Sequence, residues 1–276
     1  MSDMWTMETA PGYELTDDHL DHLGSLLGHQ TWPVVLAIGP GHEHVPARDA
    51  ALLSAADQLV SLGILCDDPH ADRGVAEPLA DALSVLANPE RLIEIRVFAS
   101  VGCARSCLAR QGSRHVLARR TGVGVEVREV SVHSEKDVGA IVSKHLGSAE
   151  TPPLPAFSAP ADELRMRLDR ARSAADYTDA FHAMGAGDQM AAGYAAAFES
   201  CTGHAEIVAI ESGQERTVRS AGAVAIYDTV RGRILAGPSK SPDGRIWTTL
   251  SGGSPHRISQ AVELLVETLP SGRWLP

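Results

Sequence analysis

The residues with the clearest chemical potential lie in VVLAIGPGHEHV, residues 34–45, where His42 and His44 stand two apart just after Gly39-Pro40-Gly41. A glycine loop between a strand and a helix can offer backbone N–H groups to a phosphate, and paired imidazoles can begin a metal site. Both chemistries need more than is present. A dinucleotide fingerprint requires a third glycine where this chain has His44, and Pro46 delays the helix that should follow at once. A metal needs further ligands, and no third one can be identified from the spacing. The stretch therefore predicts a strand over Val34 to Ile38, an exit through Gly39 to Gly41, and two solvated histidines.

Other candidates fare similarly. His19 and His22 lie three apart with no H-E-x-x-H around them. LSGGSPH, residues 250–256, gathers serines, glycines and a histidine, but it reads most simply as a strand end leading to Ser254 as N-cap and Pro255 at N1 of a helix. No G-x-S-x-G elbow occurs, and no carboxylate pair is singled out as acid and base. Cys66, Cys103, Cys107 and Cys201 are too scattered for a disulfide framework, and the C-x3-C of Cys103 and Cys107 has no second ligand pair. Free thiols are expected, with no catalytic residue, cofactor or metal. A small-molecule or metal-dependent hydrolase using His42, His44 or the 250–256 loop is the alternative in a different functional class.

The charge balance narrows the partners. A formal net charge of -11 argues against nucleic acid, which needs a basic face. The best local candidate, ARQGSRHVLARR with Arg110, Arg114, Arg119 and Arg120, reads as a two-stranded ribbon with one wet face. No leader pattern opens the chain, and no apolar run approaches the ~18 residues of a membrane span. A soluble cytoplasmic protein without stable membrane association is expected.

The elements that must position any site fall into two series. Thr16 is an N-cap with Asp17 and Asp18 behind it, Leu15 and Leu20 form a hydrophobic staple, and Leu20, Leu23 and Leu27 share a face. Helices follow over about 47–62 and 75–87. LIEIRVFAS alternates as a strand, CLARQGSRHVLARR turns near Gln111-Gly112, VGVEVREVSV gives another strand, and Ser134 with Asp137 opens a closing helix. A proline-rich segment, GSAETPPLPAFSAP, then separates the two halves.

The second half opens with helices over about 160–172, 174–182 and 186–200, and HAEIVAIES begins a second set of strands. Those within QERTVRSAGAVAIYD, GRILAGPS and GRIWTTLS follow, with a turn at Ser241 to Gly244. Ile258, Val262, Leu265 and Leu269 mark the last helix. The repeat is one of element order, with little residue identity behind it, and it implies an internal pseudo-two-fold with antiparallel meanders.

GRILAGPSKSPDGRIWTTLSGGSPHRISQAVELLVETLPSGRWLP resembles the C-terminal signature of the EspG family, cytosolic chaperones of mycobacterial ESX (type VII) secretion systems. ELTDDHLDHLGSLLGHQTWPVVLAI resembles the family's first helix, turn and strand, and RVFASVGCARSCLARQGSRHVLARR its hairpin. The resemblance covers residues 13–276. It implies an α+β fold in one domain, with a central, mostly antiparallel sheet flanked by two helical bundles. The chain then divides into a disordered tail over 1–12, an N-terminal half over 13–150, a linker over 151–160 and a C-terminal half over 161–276.

The resemblance also implies binding of PE–PPE heterodimers through the tip of the PPE subunit, keeping them soluble and directing them to their secretion system. By itself this chain would be a monomer or a weak homodimer. The implied contact surface is the loop Ser100, Val101, Gly102, Cys103, Ala104, Arg105 and Ser106, the adjacent sheet face and helices of the second half, with Met190 and Tyr194 four apart on one helix.

Overall fold

The computed structural model describes residues 12–39, 41–66, 74–213, 216–240 and 245–276. The expected tail over 1–12, apart from Gly12, and the turn from Ser241 to Gly244 lie outside them. Chain contacts group into two compact units, one of residues 1–94 and 104–131, the other of 95–103 and 132–276. None of the three boundaries falls in the proline-rich segment.

The first unit starts with strand β1, Tyr13–Thr16, which feeds helix α1, Asp17–Leu27. Thr16 caps as expected, its hydroxyl accepting from the His19 backbone at 3.1 Å while the His19 ring accepts from the Thr16 N–H at 3.2 Å. That fixes the tautomer: the other ring nitrogen donates to Gln58 at 3.0 Å, on helix α2, Val45–Ser61. Leu15, Leu20 and Leu23 are fully buried, so the staple is real. Helix α3, Glu77–Ala87, buries Leu79, Leu83 and Leu86.

The expected strand over Val34 to Ile38 is instead a single 3-10 turn, Val34–Leu36, followed by Ala37 in the left-handed region at φ 50°. The stretch bonds within itself, Leu36 to Pro33 and Ala37 to Val34, and hides Val35 and Leu36 in the core. Strand propensity expresses fit to a neighbouring sheet surface, and local turn bonding prevails here. His44 is the exposed N-cap of α2, whereas His42 is half-buried and bonded to Asp18 on α1 at 2.8 Å.

The meander of the first unit is antiparallel, with β3 (Gly102–Gln111), β4 (Arg114–Arg120) and β5 (Gly124–Glu129) in succession and β1 on the far side of β5. The turn at Gly112 is the expected one. Leu15 pairs with Val125 and Thr16 with Gly124, where an added Cβ would stand 1.9 Å from the Leu15 carbonyl oxygen, so only glycine fits. Asp17 then meets Arg120, with one of its two bonds at 2.9 Å. Strand β2, Arg91–Ala99, gives its first four residues to this unit and the rest to the second.

In the second unit α4, Glu135–His145, carries the expected Ser134–Asp137 capping box. The proline-rich segment ends in strand β6, Phe157–Pro160, and three helices follow: α5 (Ala161–Arg170), α6 (Ala174–Ala183) and α7 (Asp188–Glu199). The sheet runs from β7 (Cys201–Ser212) through β9 (Val224–Thr229), β10 (Gly232–Lys240) and β11 (Ile246–Gly252) to β6, with β8 (Thr217–Arg219) on the outer part of β7. The registers among β6 to β11 are all antiparallel. Helix α8, Pro255–Glu267, closes the series from its N-cap Ser254.

The repeat of order is fuller than sequence alone indicates. β1 leads into α1 and pairs with β5, and β6 leads into α5 and pairs with β11. Each series is thus an edge strand, three α-helices, a four-strand meander, to which the second adds β8 beside β7, and a closing helix. The closing helices α4 and α8 pack together at Gly139 and Ser259, each five residues past its capping serine.

The C-terminus locks onto α4. Trp274 is fully buried, and the backbone N–H groups of Trp274 and Leu275 donate to the Glu135 carboxylate at 3.0 and 2.9 Å. Removing residues 270–276 is expected to cost about 3–5 kcal/mol, and to lower the melting temperature by roughly 10 °C. Thermal unfolding by circular dichroism checks this, and an unchanged curve would contradict it.

Candidate functional site

The two faces of the second unit's sheet are finished differently. One face carries α8, whose Ala261 methyl lies 3.3 Å from the Cβ position of Gly237 on β10. The other face bears Phe157, Ala159, Ile234, Ala236 and Leu250, and packs against Leu164 of α5, Phe181 of α6, and Ala191, Tyr194 and Phe198 of α7. Phe181 and Tyr194 stack with centroids 5.1 Å apart.

This helical cover is incomplete. Beside α5 the same sheet face is open as a groove of about 860 Å³. Its floor is made shallow in side chain and deep in space by Ala225 and Ala236, cross-strand partners on β9 and β10, with Ala221 to Ala223 along the rim. Leu164 and Leu168 of α5 form an apolar wall, and Asp162, Arg165 and Asp169 ring it. His204 and Glu206 on β7, Tyr227 on β9, Thr248 on β11 and Arg245 supply the remaining polar lining.

An aromatic line crosses the floor. Phe98 near the end of β2 stacks on His204 at 4.7 Å, His204 stacks on Tyr227 at 6.4 Å, and Tyr227 meets Phe198 edge-on at 5.0 Å. Burial pushes the Tyr227 hydroxyl up to about 12, helped by the negative charges of Asp169, Cys201 and Glu206. Tyr227 is therefore a neutral phenol at ordinary pH, able to bond to a polar group without adding charge.

Of the nine contact residues expected from sequence, only part forms an exposed turn. β2 ends at Ala99, so Ser100 and Val101 alone make the reversal, and Gly102, at φ 130°, already begins β3. Val101 is 97% exposed, which leaves its apolar side chain available to a partner. Cys103 and Arg105 are half-buried, Ala104 is exposed, and Ser106 is buried in the strand.

Tyr194 belongs to the core, and the half-buried Met190 packs against it. Met190 packs on the aromatic cluster, and Tyr194 has no exposed surface, its hydroxyl donating to the Pro155 carbonyl at 2.8 Å. Their four-residue spacing marks the inward stripe of α7, the usual fate of such a stripe. The family resemblance implies a contact on the sheet face beside the 100–106 loop, and nothing in the sequence singles out His204, Tyr227 and the α5 face. Alternation of Ala225 and Tyr227 in AVAIYD was the only available signal, and it does not say which face stays open.

The chemical candidates have structural roles. Ser254 accepts the Arg257 N–H as a helix cap at 3.3 Å. Among the described residues no group of three His, Cys, Asp or Glu side chains could hold a metal ion. All four cysteines are free thiols. No described helix is long and apolar enough to cross a membrane.

An α+β chain with a duplicated helix-and-meander order, one open sheet face and an apolar groove has the architecture of a protein that holds another protein's surface. Residues 16–263 match the model of the EspG family, and the chain belongs to that family. It is 26% identical over 264 residues to the ESX-3 secretion-associated protein EspG3 of Mycolicibacterium smegmatis (strain ATCC 700084 / mc(2)155), covering 95% of this chain and 89% of that one. It is 27% identical over 275 residues to the ESX-1 secretion-associated protein EspG1 of Mycobacterium tuberculosis (strain ATCC 25618 / H37Rv), covering 98% and 92%. Among solved structures it resembles the Mycobacterium tuberculosis type VII secretion system chaperone EspG5 in complex with the PE25–PPE41 dimer. The TM-score is 0.79 at 18% identity, with 96% and 99% of the chains covered.

Two outcomes follow from the aromatic face. Tyr194→Phe should lose about 1 kcal/mol and Tyr194→Ala about 3–5 kcal/mol, read by denaturant unfolding. Tyr227 binds its proton more tightly folded than unfolded, so its contribution is complete below pH ~10 and is lost as pH rises toward ~12. Tyr227→Phe should flatten the fall in stability across that alkaline window, and an identical slope in the variant would contradict this.

Proposed function

We propose that this chain is a cytoplasmic chaperone that binds a PE–PPE heterodimer through the tip of its PPE subunit, keeps the pair soluble and directs it to a type VII secretion system. Family membership supports the reading, and EspG5 in complex with PE25–PPE41 is the structural precedent. The observation that carries it is the groove on the second unit's open sheet face, which has an alanine floor, a leucine wall and a charged rim. A helical bundle with an apolar end aggregates unless that end is covered, and a groove of this kind covers it without chemistry. The work is binding, not catalysis.

The exposed turn Ser100–Val101, with Gly102 to Arg105 leading from it, extends the contact. Phe98, one step before this turn's last strand residue, already belongs to the stack on His204. Asp162, Asp169 and Glu206 against Arg165 and Arg245 give the rim both signs, which suits orientation of a partner more than raw affinity.

Co-expression with candidate PE–PPE pairs tests the proposal. A stable 1:1:1 complex is expected, and Ala225→Phe, which fills the floor, should abolish co-purification while leaving the melting temperature within a few degrees. Arg105→Glu should weaken the complex by about 2–5 kcal/mol. Failure of every cognate pair to bind overturns the function. Full binding by Ala225→Phe removes the groove from it.

A further inference from the structure

The groove beside α5 has unlike ends. Strand register fixes its axis: His204 pairs with Tyr227, Glu206 with Ala225 and Ala225 with Ala236, while Leu250, Thr248 and Ile246 continue the same face along β11. The alanine floor is therefore about 7 Å from Tyr227 and about 13 Å from Ile246, two and four residues along the strands. Helix α5 lies along this axis. It starts after Pro160, which pairs with Trp247 beside the Ile246 end, and Asp169 near its last residue acts electrostatically on Tyr227.

The charges follow the same axis. Glu206 and Asp169 stand exposed at the Tyr227 end, and no described residue bonds to either carboxylate. The last arginines of α5 are engaged elsewhere: Arg167 pairs with Glu163 at 2.9 Å, Arg170 lines a cleft toward α6, and Arg172 donates to the Asp169 backbone carbonyl. Arg245 stands at the Ile246 end, with Arg165 one turn into the helix. Asp162 is there too, in the first turn of α5, where the positive helix terminus offsets it, whereas the negative terminus of the same helix adds to Asp169.

We propose that the groove selects the direction of its occupant by charge: a client helix lays a basic side chain between Glu206 and Asp169, an apolar one on the alanine floor and an acidic one toward Arg245. That the client is the tip of a PPE subunit rests on the function proposed above, whereas the polarity rests on the groove alone. A helix rises about 1.5 Å per residue, so the basic residue belongs about four places from the apolar one and the acidic residue about eight places on its other side. The opposite orientation sets acid against acid and base against arginine, and like charges facing each other suppress that arrangement. Both carboxylates are exposed, so the charges contribute discrimination and the floor contributes most of the affinity.

The first probe is a PE–PPE pair that co-purifies with the wild-type chain. Asp169→Lys/Glu206→Lys should weaken that complex about tenfold or more, and reversing a basic residue of the PPE tip to glutamate should restore it. The charge-matched control Asp49→Lys/Asp57→Lys, at exposed positions of α2, should stay within about twofold of wild type. The second probe is an alanine-based helical peptide of about 20 residues carrying leucine, arginine four places to one side and glutamate eight to the other, set against a copy with the two charges exchanged. Fluorescence anisotropy should show the wild type preferring the first peptide about fivefold, and Asp169→Asn/Glu206→Gln, which keeps the shape of the rim, should lose that preference. A PE–PPE pair held equally by wild type and Asp169→Lys/Glu206→Lys, an equal loss in the α2 control, or equal binding of the two peptides overturns the proposal. Peptide preference without any PE–PPE complex supports the polarity and overturns the chaperone reading instead.

Discussion

The second unit depends on how closely α4 and α8 approach. A Cβ on Gly139 would lie 2.6 Å from the Ser259 Cα, so the two helices touch backbone to backbone. A larger residue would force them apart, and α8 is the helix that closes one face of the sheet through Ile258, Val262 and Leu265. The Glu135 carboxylate at the head of α4 also receives the C-terminal backbone, which seats Trp274 in the core. One glycine thus sets the spacing for two helices, a sheet face and the chain end.

With one sheet face closed in this way, the character of the other decides what the protein can do. Its aromatic cluster secures α6 and α7, but Ala225 and Ala236 leave the neighbouring floor without side chains long enough to reach α5. The result is concave, apolar and ringed by mixed charge. Large side chains at those two positions would have yielded a filled core and an inert surface. A tight, dry pocket with converging acids and bases would have implied chemistry. A groove with an alanine floor and a rim of mixed charge suits a macromolecular partner.

Membership of the EspG family accords with this division of labour, since holding an apolar protein end needs area and shape in place of a reactive group. Of the residues most suggestive of catalysis in isolation, His42 bonds to Asp18 and Ser254 caps α8, while His44 stands exposed at the start of α2.

Local signals in the sequence determined the capped helices and the meanders. Thr16, Ser134 and Ser254 satisfy backbone groups within one turn of themselves, and strand alternation reports a two-sided environment wherever it occurs, so these elements need no distant information. The order of elements likewise disclosed the internal repeat and the α+β class, and the C-terminal signature pointed to the family. Tertiary structure alone decided the rest. Val34 to Leu36 have strand-forming side chains yet form a 3-10 turn, because propensity acts only where a neighbouring strand is offered. Met190 and Tyr194 look alike as core or contact, since a helical stripe records that one face is covered without recording by what. The groove is the clearest case: its floor comes from β9 and β10, its wall from α5 and its aromatic line from β2 and β7, residues more than a hundred places apart that only the pairing of strands brings together.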